Sequence, residues 1–282
     1  MKNTVVITGG VGFVGSSLIK YLLNKEKNLR IISLDNYSSG TKKNEIKDKR
    51  IIYLRGETKN IFKILSNYKS KIHTIFHFGE FSRIYQSFLQ TRKCFNSNNI
   101  GSLEVFNFCL TNKIKLVYSA TSASIGNKGM DKNLSPYSFS KSINLEFLEN
   151  LKKWFKFKCE IIYFYNVYGP GQIQKGKMST VIGVFEEQFK KKIPLTVVRP
   201  GTQTRRFTHI SDTVRVCYYA WKKNKNRHYS ITHKKSYSIL QVAKMFKFKI
   251  KMVPSREGER YLSAITDKEI PSMMEVYKIL DN

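Results

Sequence analysis

Tyr137 and Lys141, four residues apart in Tyr137-Ser-Phe-Ser-Lys141, and the glycine-rich stretch Thr8-Gly-Gly-Val-Gly-Phe-Val-Gly15 are the parts of this chain best suited to chemistry. Side chains four apart on a helix share a face. A lysine ammonium so placed lowers the phenol's pKa and hydrogen-bonds a cofactor ribose. The tyrosine could then take a proton from an alcohol as hydride leaves. Tyr137 and Lys141 are therefore expected to be catalytic and to touch the cofactor. The pair alone is a weak sign in a chain with 16 tyrosines. Beside a dinucleotide-binding turn it becomes a strong one.

Gly9, Gly12 and Gly15 form that turn, between an apolar run and a helical pattern. The first glycine permits the tight turn, the second lets backbone approach a pyrophosphate, and the third lets helix pack on strand. Phe13, Val14 and Gly15 then open a helix whose N-terminus faces the phosphates. Asp35 ends the next apolar run, 20 residues beyond Gly15. A carboxylate there accepts from both adenosine ribose hydroxyls and repels a 2′-phosphate, which favours NAD over NADP. Asn36 and Ser38 lie in the same turn, and no arginine immediately follows Asp35. NAD is the expected cofactor.

These residues need a scaffold, and the first 160 or so residues supply its rhythm. Strands are expected at Val5–Thr8, Arg30–Leu34, Ile51–Leu54, Thr74–His77, Lys115–Ser119 and Glu160–Phe164. Helices are expected at Phe13–Asn24, Thr58–Ser66, Ser97–Asn112 and Pro136–Phe155. The alternation predicts an α/β fold: a Rossmann-type, doubly wound parallel sheet with its crevice at the strands' carboxyl ends. After Tyr168-Gly-Pro-Gly171 the rhythm loosens into turns, helices near Val181–Lys191 and Ser238–Phe246, and short strands. That suggests a nucleotide-binding domain over 1–167 and a smaller mixed substrate-binding lobe over 168–282, with an approximate boundary.

Composition narrows the class. The chain has 282 residues, 41% of them hydrophobic, and a net charge of +30. The lysines are scattered in short groups such as Lys190-Lys191-Lys192, beside abundant Ile and Asn. A bias of the source composition explains that pattern better than a nucleic-acid partner does, although a basic surface would help steer an anionic substrate. No apolar run approaches the roughly 18 residues of a membrane span. An expected strand begins within a few residues of Met1, which leaves no room for a secretory signal. Cys94, Cys109, Cys159 and Cys217 are widely spaced, as expected for reduced thiols in a cytoplasmic protein. The five histidines form no metal pattern, and His77 and His209 are expected to be structural.

With these residues in view, the chain resembles the extended short-chain dehydrogenase/reductase family. The likeness is to its nucleotide-sugar epimerase/dehydratase group, which includes the UDP-galactose 4-epimerases. The resemblance runs from about Lys2 to about Asp267. It is carried by TGGVGFVG (8–15), LDNYSSG (34–40), IFHFGE (75–80), NNIGS (98–102), YSATSASIG (118–126), SPYSFSK (135–141), FYNVYGPGQ (164–172), GTQTRRF (201–207) and REGER (256–260). It implies that Tyr137 is the base, with Lys141 on the nicotinamide ribose and Thr121 binding the reacting oxygen; Ser122 is the neighbouring alternative. It extends the cofactor set to Gly40, Ser119, the adenine-side Glu57 and Thr58, and Phe78, Gly79 and Glu80 along the diphosphate. It implies substrate contacts from Asn98, Asn166, Arg205, Arg256 and Glu259, with arginine forks on a pyrophosphate.

Departures from the group's pattern bear on the reaction. Thr121 is followed by Ser122-Ala123, where 4,6-dehydratases of the group carry Asp-Glu and decarboxylases a Glu. Dehydration is therefore disfavoured. Glu80 and Arg206 bring an extra negative and an extra positive charge to the site's border. The expected activity is NAD-dependent oxidation at C4 of a nucleoside-diphosphate sugar, foremost a 4-epimerase. The alternative is a net dehydrogenase, acting for example on a GDP-heptose, with NADH recycled by a 2-oxo acid. A third reading is a non-catalytic basic binding protein. A homodimer is expected through the helices at Ser97–Asn112 and Tyr137–Phe155. On the second helix, Leu145 and Leu148 should point inward, and Ile143, Phe147, Leu151 and Trp154 should form a second apolar stripe.

Overall fold

Seven parallel strands build one sheet whose order reverses in its middle. The structure is a computed structural model and describes residues 3–126, 132–255, 258, 261 and 262. Strands β1 (Thr4–Thr8), β2 (Arg30–Asp35), β3 (Ile51–Arg55), β4 (Ile72–His77), β5 (Lys115–Thr121) and β6 (Cys159–Phe164) lie in the order β3-β2-β1-β4-β5-β6. His228–Ser230 pairs parallel beyond β6 as the seventh strand. The first six strands fall within two residues of the expected bounds. The seventh was not expected: three residues are too few to show a period.

Both faces of the sheet are covered, which is why its strands read as continuous apolar runs rather than as alternation. Val6, Ile32, Ile75, Leu116 and Ile161 face one core with Phe106, Phe108, Leu148 and Leu151. Val5, Ile7, Ile31, Phe76, Val117 and Ile162 face the other, with Leu18, Leu22, Val214 and Cys217. Helices Gly101–Thr111 and Pro136–Phe155 thus cover one side, and helices Phe13–Lys25 and Ile210–Lys223 the other. A third core of Phe185, Leu195, Val197, Ile239 and Val242 holds the smaller part together. Among the described residues, three two-stranded sheets add to the large one.

The C-terminal part is interleaved with the sheet. Helix Ile210–Lys223 and strand His228–Ser230 lie beyond residue 167 in sequence but belong to the large sheet's layers. Two helices differ from expectation in detail. Thr58–Ser66 is a 3₁₀ turn, Thr58–Asn60, followed by a short helix, Ile61–Ile64. The Ser97–Asn112 helix begins as a π-turn at Asn96–Ile100. Helix Pro136–Phe155 has its expected ends: Ser135 and Ser138 form a capping box, Pro136 stands at the first turn, and Lys156 ends it in the left-handed region. On it Leu148 is buried and Leu145 packs on the core. The second stripe is split, because Leu151 and Phe147 also turn inward while Ile143 and Trp154 stay exposed.

Candidate active site

The sheet's order reverses between β1 and β4, and the turns after those strands meet there. Thr8 Oγ1, at the end of β1, accepts from the Phe78 and Gly79 amides at 3.1 and 3.0 Å. Gly9 has φ +71°, and a Cβ on it would lie 2.8 Å from the Phe78 carbonyl carbon. Only glycine fits both demands. A Cβ on Gly15 would lie 2.1 Å from Gly9 O, so close helix–strand packing also requires glycine. Gly12 differs: its added Cβ would meet only Gly9 O, at 3.1 Å. Its missing side chain keeps clear the mouth of helix Phe13–Lys25, which has no side-chain cap. The helix's free amides thus border the cleft.

That cleft has a volume of about 1250 Å³, above the roughly 300–1,000 Å³ of a site for one small ligand. Its wall runs from Asp35, Asn36, Ser38, Glu57 and Thr58, past Gly9, Gly12–Gly15 and Phe78–Glu80, to Ser119, Thr121, Tyr137 and Lys141. It continues to Asn166, Arg205 and Arg206. Asp35 is buried and accepts from the Val11 amide (3.1 Å) and the Tyr37 amide (2.8 Å). Burial raises its pKa, and those amide bonds oppose the rise. Glu57 is exposed and pairs with Lys59 at 2.8 Å.

Two expected contacts lie elsewhere. Gly40 does not line the cleft; it packs against Val11, whose carbonyl oxygen an added Cβ would approach to 2.6 Å. Asn98 is fully buried behind the wall. Its Oδ1 accepts from the Phe81 amide at 2.6 Å, and its Nδ2 donates to Phe81 O at 3.1 Å and Ser140 Oγ at 2.9 Å. It pins the segment after β4 to the active-site helix and does not reach the cleft. Arg256 and Glu259 lie outside the described residues.

Thr121, at the end of β5, accepts from the Ala123 amide at 3.2 Å and lies beside the Tyr137 phenol on the cleft wall. The net shift of the Tyr137 phenol is upward, against the acidification expected from Lys141. Burial pushes the phenol up to about 12, and Glu80 adds to the rise; Thr121 and Arg83 oppose it. Lys141 instead donates to Glu80 Oε2 and to the Ser119 carbonyl, and sits 4.2 Å from the Tyr118 ring centroid. Glu80, expected along the cofactor diphosphate, is therefore the lysine's ion-pair partner, with both side chains only 3% and 4% exposed. A side chain as short as alanine at this position could not reach Lys141; a glutamate can.

A chain of hydrogen bonds continues behind Glu80. Thr8 Oγ1 already accepts two amides, so its own proton goes to His77 Nδ1, at 2.6 Å. The neutral ring then carries its hydrogen on Nε2 and donates to Ser102 Oγ (2.9 Å), which donates to Glu80 Oε1 (2.8 Å). Burial lowers the His77 pKa to about 4, in keeping with a neutral ring.

At the substrate end, Asn166 donates to Arg206 O at 2.9 Å and so holds the 201–207 segment beside its own strand. Arg205 donates to Thr204 O at 2.8 Å. The Arg206 Nε is buried without a hydrogen-bond partner among the described residues. Arg83 lies beside Tyr137, anchored on Met178 O at 2.8 Å through Nε. The pairing of Glu80 with Lys141 had no signal in spacing, because residues 61 apart meet only through the fold. His209 caps helix Ile210–Lys223, accepting from the Ser211 amide at 3.3 Å. Among the described residues no cluster of His, Cys, Asp or Glu is placed to hold a metal, and no helix is long and apolar enough to cross a membrane.

Residues 5–232 match the model of the NAD dependent epimerase/dehydratase family. Among solved structures, the chain is similar to UDP-glucose 4-epimerase from Thermotoga maritima, with 21% identity, TM-score 0.85, and 95% of this chain and 91% of that one covered. It is also similar to UDP-glucuronic acid 4-epimerase from Bacillus cereus, solved with UDP-glucuronic acid and NAD. That match has 23% identity, TM-score 0.84, and 99% and 93% coverage. Pal from Bacillus thuringiensis superposes with TM-score 0.87 at 21% identity, over 96% of this chain and 93% of that one. At these identities the likeness is one of fold. NAD is the family's cofactor, and the residues here fit it: a glycine-lined helix mouth, a ribose-side carboxylate at Asp35 and the Tyr137–Lys141 wall.

Proposed function

The chain belongs to the NAD-dependent epimerase/dehydratase family, and from that premise we propose that it oxidises C4 of a nucleoside-diphosphate sugar to a 4-keto intermediate and acts as a 4-epimerase. The observation that carries the reading is the meeting of Thr121, Tyr137 and Lys141 on one wall of the cleft, the last two a turn apart on helix Pro136–Phe155. Tyr137 Oη takes the proton of the sugar's 4-hydroxyl, and Thr121 holds the reacting oxygen. Bound NAD supplies the hydride acceptor. In the epimerase the same phenol returns the proton after the sugar presents its other face. Arg205 and Arg206 suit the diphosphate, and Arg256 is proposed to join them. Ser122 and Ala123 offer no acid–base pair for dehydration. The UDP-sugar bound in the Bacillus cereus neighbour supports the substrate class.

Arg83 favours the second reading, a net dehydrogenase with a 2-oxo acid as final oxidant. It stands beside Tyr137, and no carboxylate pairs with it among the described residues. A small acid's carboxylate would suit that guanidinium. Four buried, unbridged cysteines support a reducing, cytoplasmic setting.

A panel of nucleotide sugars incubated with the protein in deuterated water, with and without 2-oxo acids, separates the readings by NMR. Epimerisation inverts C4 with no added acid; the dehydrogenase reduces the acid in step with the sugar. Tyr137→Phe should lower either rate by about 10²–10⁴-fold. No turnover of any sugar, or an unaffected Tyr137→Phe variant, rejects the enzyme. Steep salt-dependent retention on heparin with no bound dinucleotide would then point to a binding protein.

A further inference from the structure

Glu80 is held from four sides by three different elements. Its Oε1 accepts from Ser102 Oγ (2.8 Å) on helix Gly101–Thr111, from the Tyr118 hydroxyl (3.1 Å) on β5, and from Asn144 Nδ2 (3.1 Å) on helix Pro136–Phe155. Its Oε2 receives Lys141. Asn144 is itself fixed, donating to Asn98 O at 2.6 Å and accepting from Asn99 Nδ2 at 3.0 Å. A buried carboxylate is tolerated only when its lone pairs are satisfied and its charge matched. Here both conditions hold, and the matched charge is the ammonium beside the proposed base.

We propose that Glu80 is a positioning residue for the Tyr137–Lys141 pair: its carboxylate holds the ammonium against the Ser119 carbonyl and offsets that ammonium's charge at the Tyr137 phenol. The proposal rests on the reading of Tyr137 as the base. It assigns the glutamate a second consequence. Burial lowers the Lys141 pKa and Glu80 opposes the fall, and Glu80 and the Ser119 carbonyl keep the side chain in place without a bound ribose, so the wall is organised in advance. The charged and titratable groups that face this centre are Arg83 and Cys94 beside Tyr137, and His77 and Tyr118 beside Glu80. His77 is neutral, and burial raises the Cys94 thiol and the Tyr118 phenol, so none of these three is charged near neutral pH. Arg83, Lys141 and Glu80 are then the only fixed charges here among the described residues.

Removing the negative charge should let the phenol ionise at lower pH; removing the positive one should do the reverse. In cofactor-free protein with carbon-labelled tyrosine rings, NMR follows Tyr137, its signal assigned by Tyr137→Phe. Glu80→Gln should move its ionisation down by about one pH unit, a tenfold change in acidity. Lys141→Met should move it up, and the double variant should return it close to the wild-type value. In turnover, the rise of kcat/KM with pH should shift down by the same amount in Glu80→Gln. An unchanged Tyr137 in Glu80→Gln overturns the proposal. So does a double variant that matches Lys141→Met alone. If Glu80→Gln does not fold, Lys141→Met still decides: with Glu80 left unopposed, failure of the phenol to move upward overturns the proposal. The titration needs no sugar, so a chain that turns over no nucleotide sugar would lose its catalytic reading without altering this result.

Discussion

His77 carries the clearest consequence at the scale of single residues. Its ring is fully buried and accepts from Thr8, and its pKa falls to about 4 from an unfolded value near 6.5. The unfolded chain therefore binds a proton that the folded chain refuses, between those two pH values. Its contribution is complete above about 6.5 and is lost as pH falls toward 4. From pH 7 to pH 5 the protein should lose about 2 kcal/mol more stability than a His77→Asn variant does. Urea midpoints of both proteins at the two pH values test this, and parallel losses would refute it. The same residue was legible as structural from its place at a strand end. That it feeds Glu80 through Ser102 was not legible, because the link needs three elements in register.

The π-turn at Asn96–Ile100 matters most at the scale of elements. A residue inserted into a helix turns the following side chains, and π-turns gather at functional sites. Here it lets Asn98 satisfy both backbone groups of Phe81 and reach Ser140 on the active-site helix. Asn98→Leu would leave the Phe81 amide and carbonyl buried without partners. A loss of about 2–4 kcal/mol in stability should follow, read by urea unfolding, together with weaker NAD binding as the Glu80 segment shifts. Full stability in that variant would show that the asparagine is dispensable to the wall. Sequence pattern identified the helix from its apolar spacing and identified Asn98 by motif. It gave the residue a substrate role, because a motif does not say which side of a wall a side chain occupies.

At the scale of the whole molecule, apolar side chains stay exposed on the helix pair. Ile100, Leu103, Phe139 and Ile143 are exposed on the two helices expected to pair between subunits, while Leu151 and Phe147 turn into the core. Burying four such side chains against a second copy is worth on the order of several kcal/mol. Light scattering should find a dimer, and an Ile143→Glu/Phe139→Lys double variant should run as a monomer. A wild-type monomer at micromolar concentration would refute the pairing. The +30 charge also belongs to this scale. It acts on every anion that approaches the cleft, and its influence fades as salt screens it.

The strand–helix rhythm, the ends of helix Pro136–Phe155 and the glycine turn were all determined within short stretches of sequence. Caps, apolar runs and the demands of a positive φ are local, so neighbouring residues suffice to express them. The short edge strand and the pairing of Lys141 with Glu80 were decided by tertiary structure alone. Each depends on groups distant in the chain meeting at a few ångströms, and electrostatic effects at that range follow burial and geometry rather than spacing.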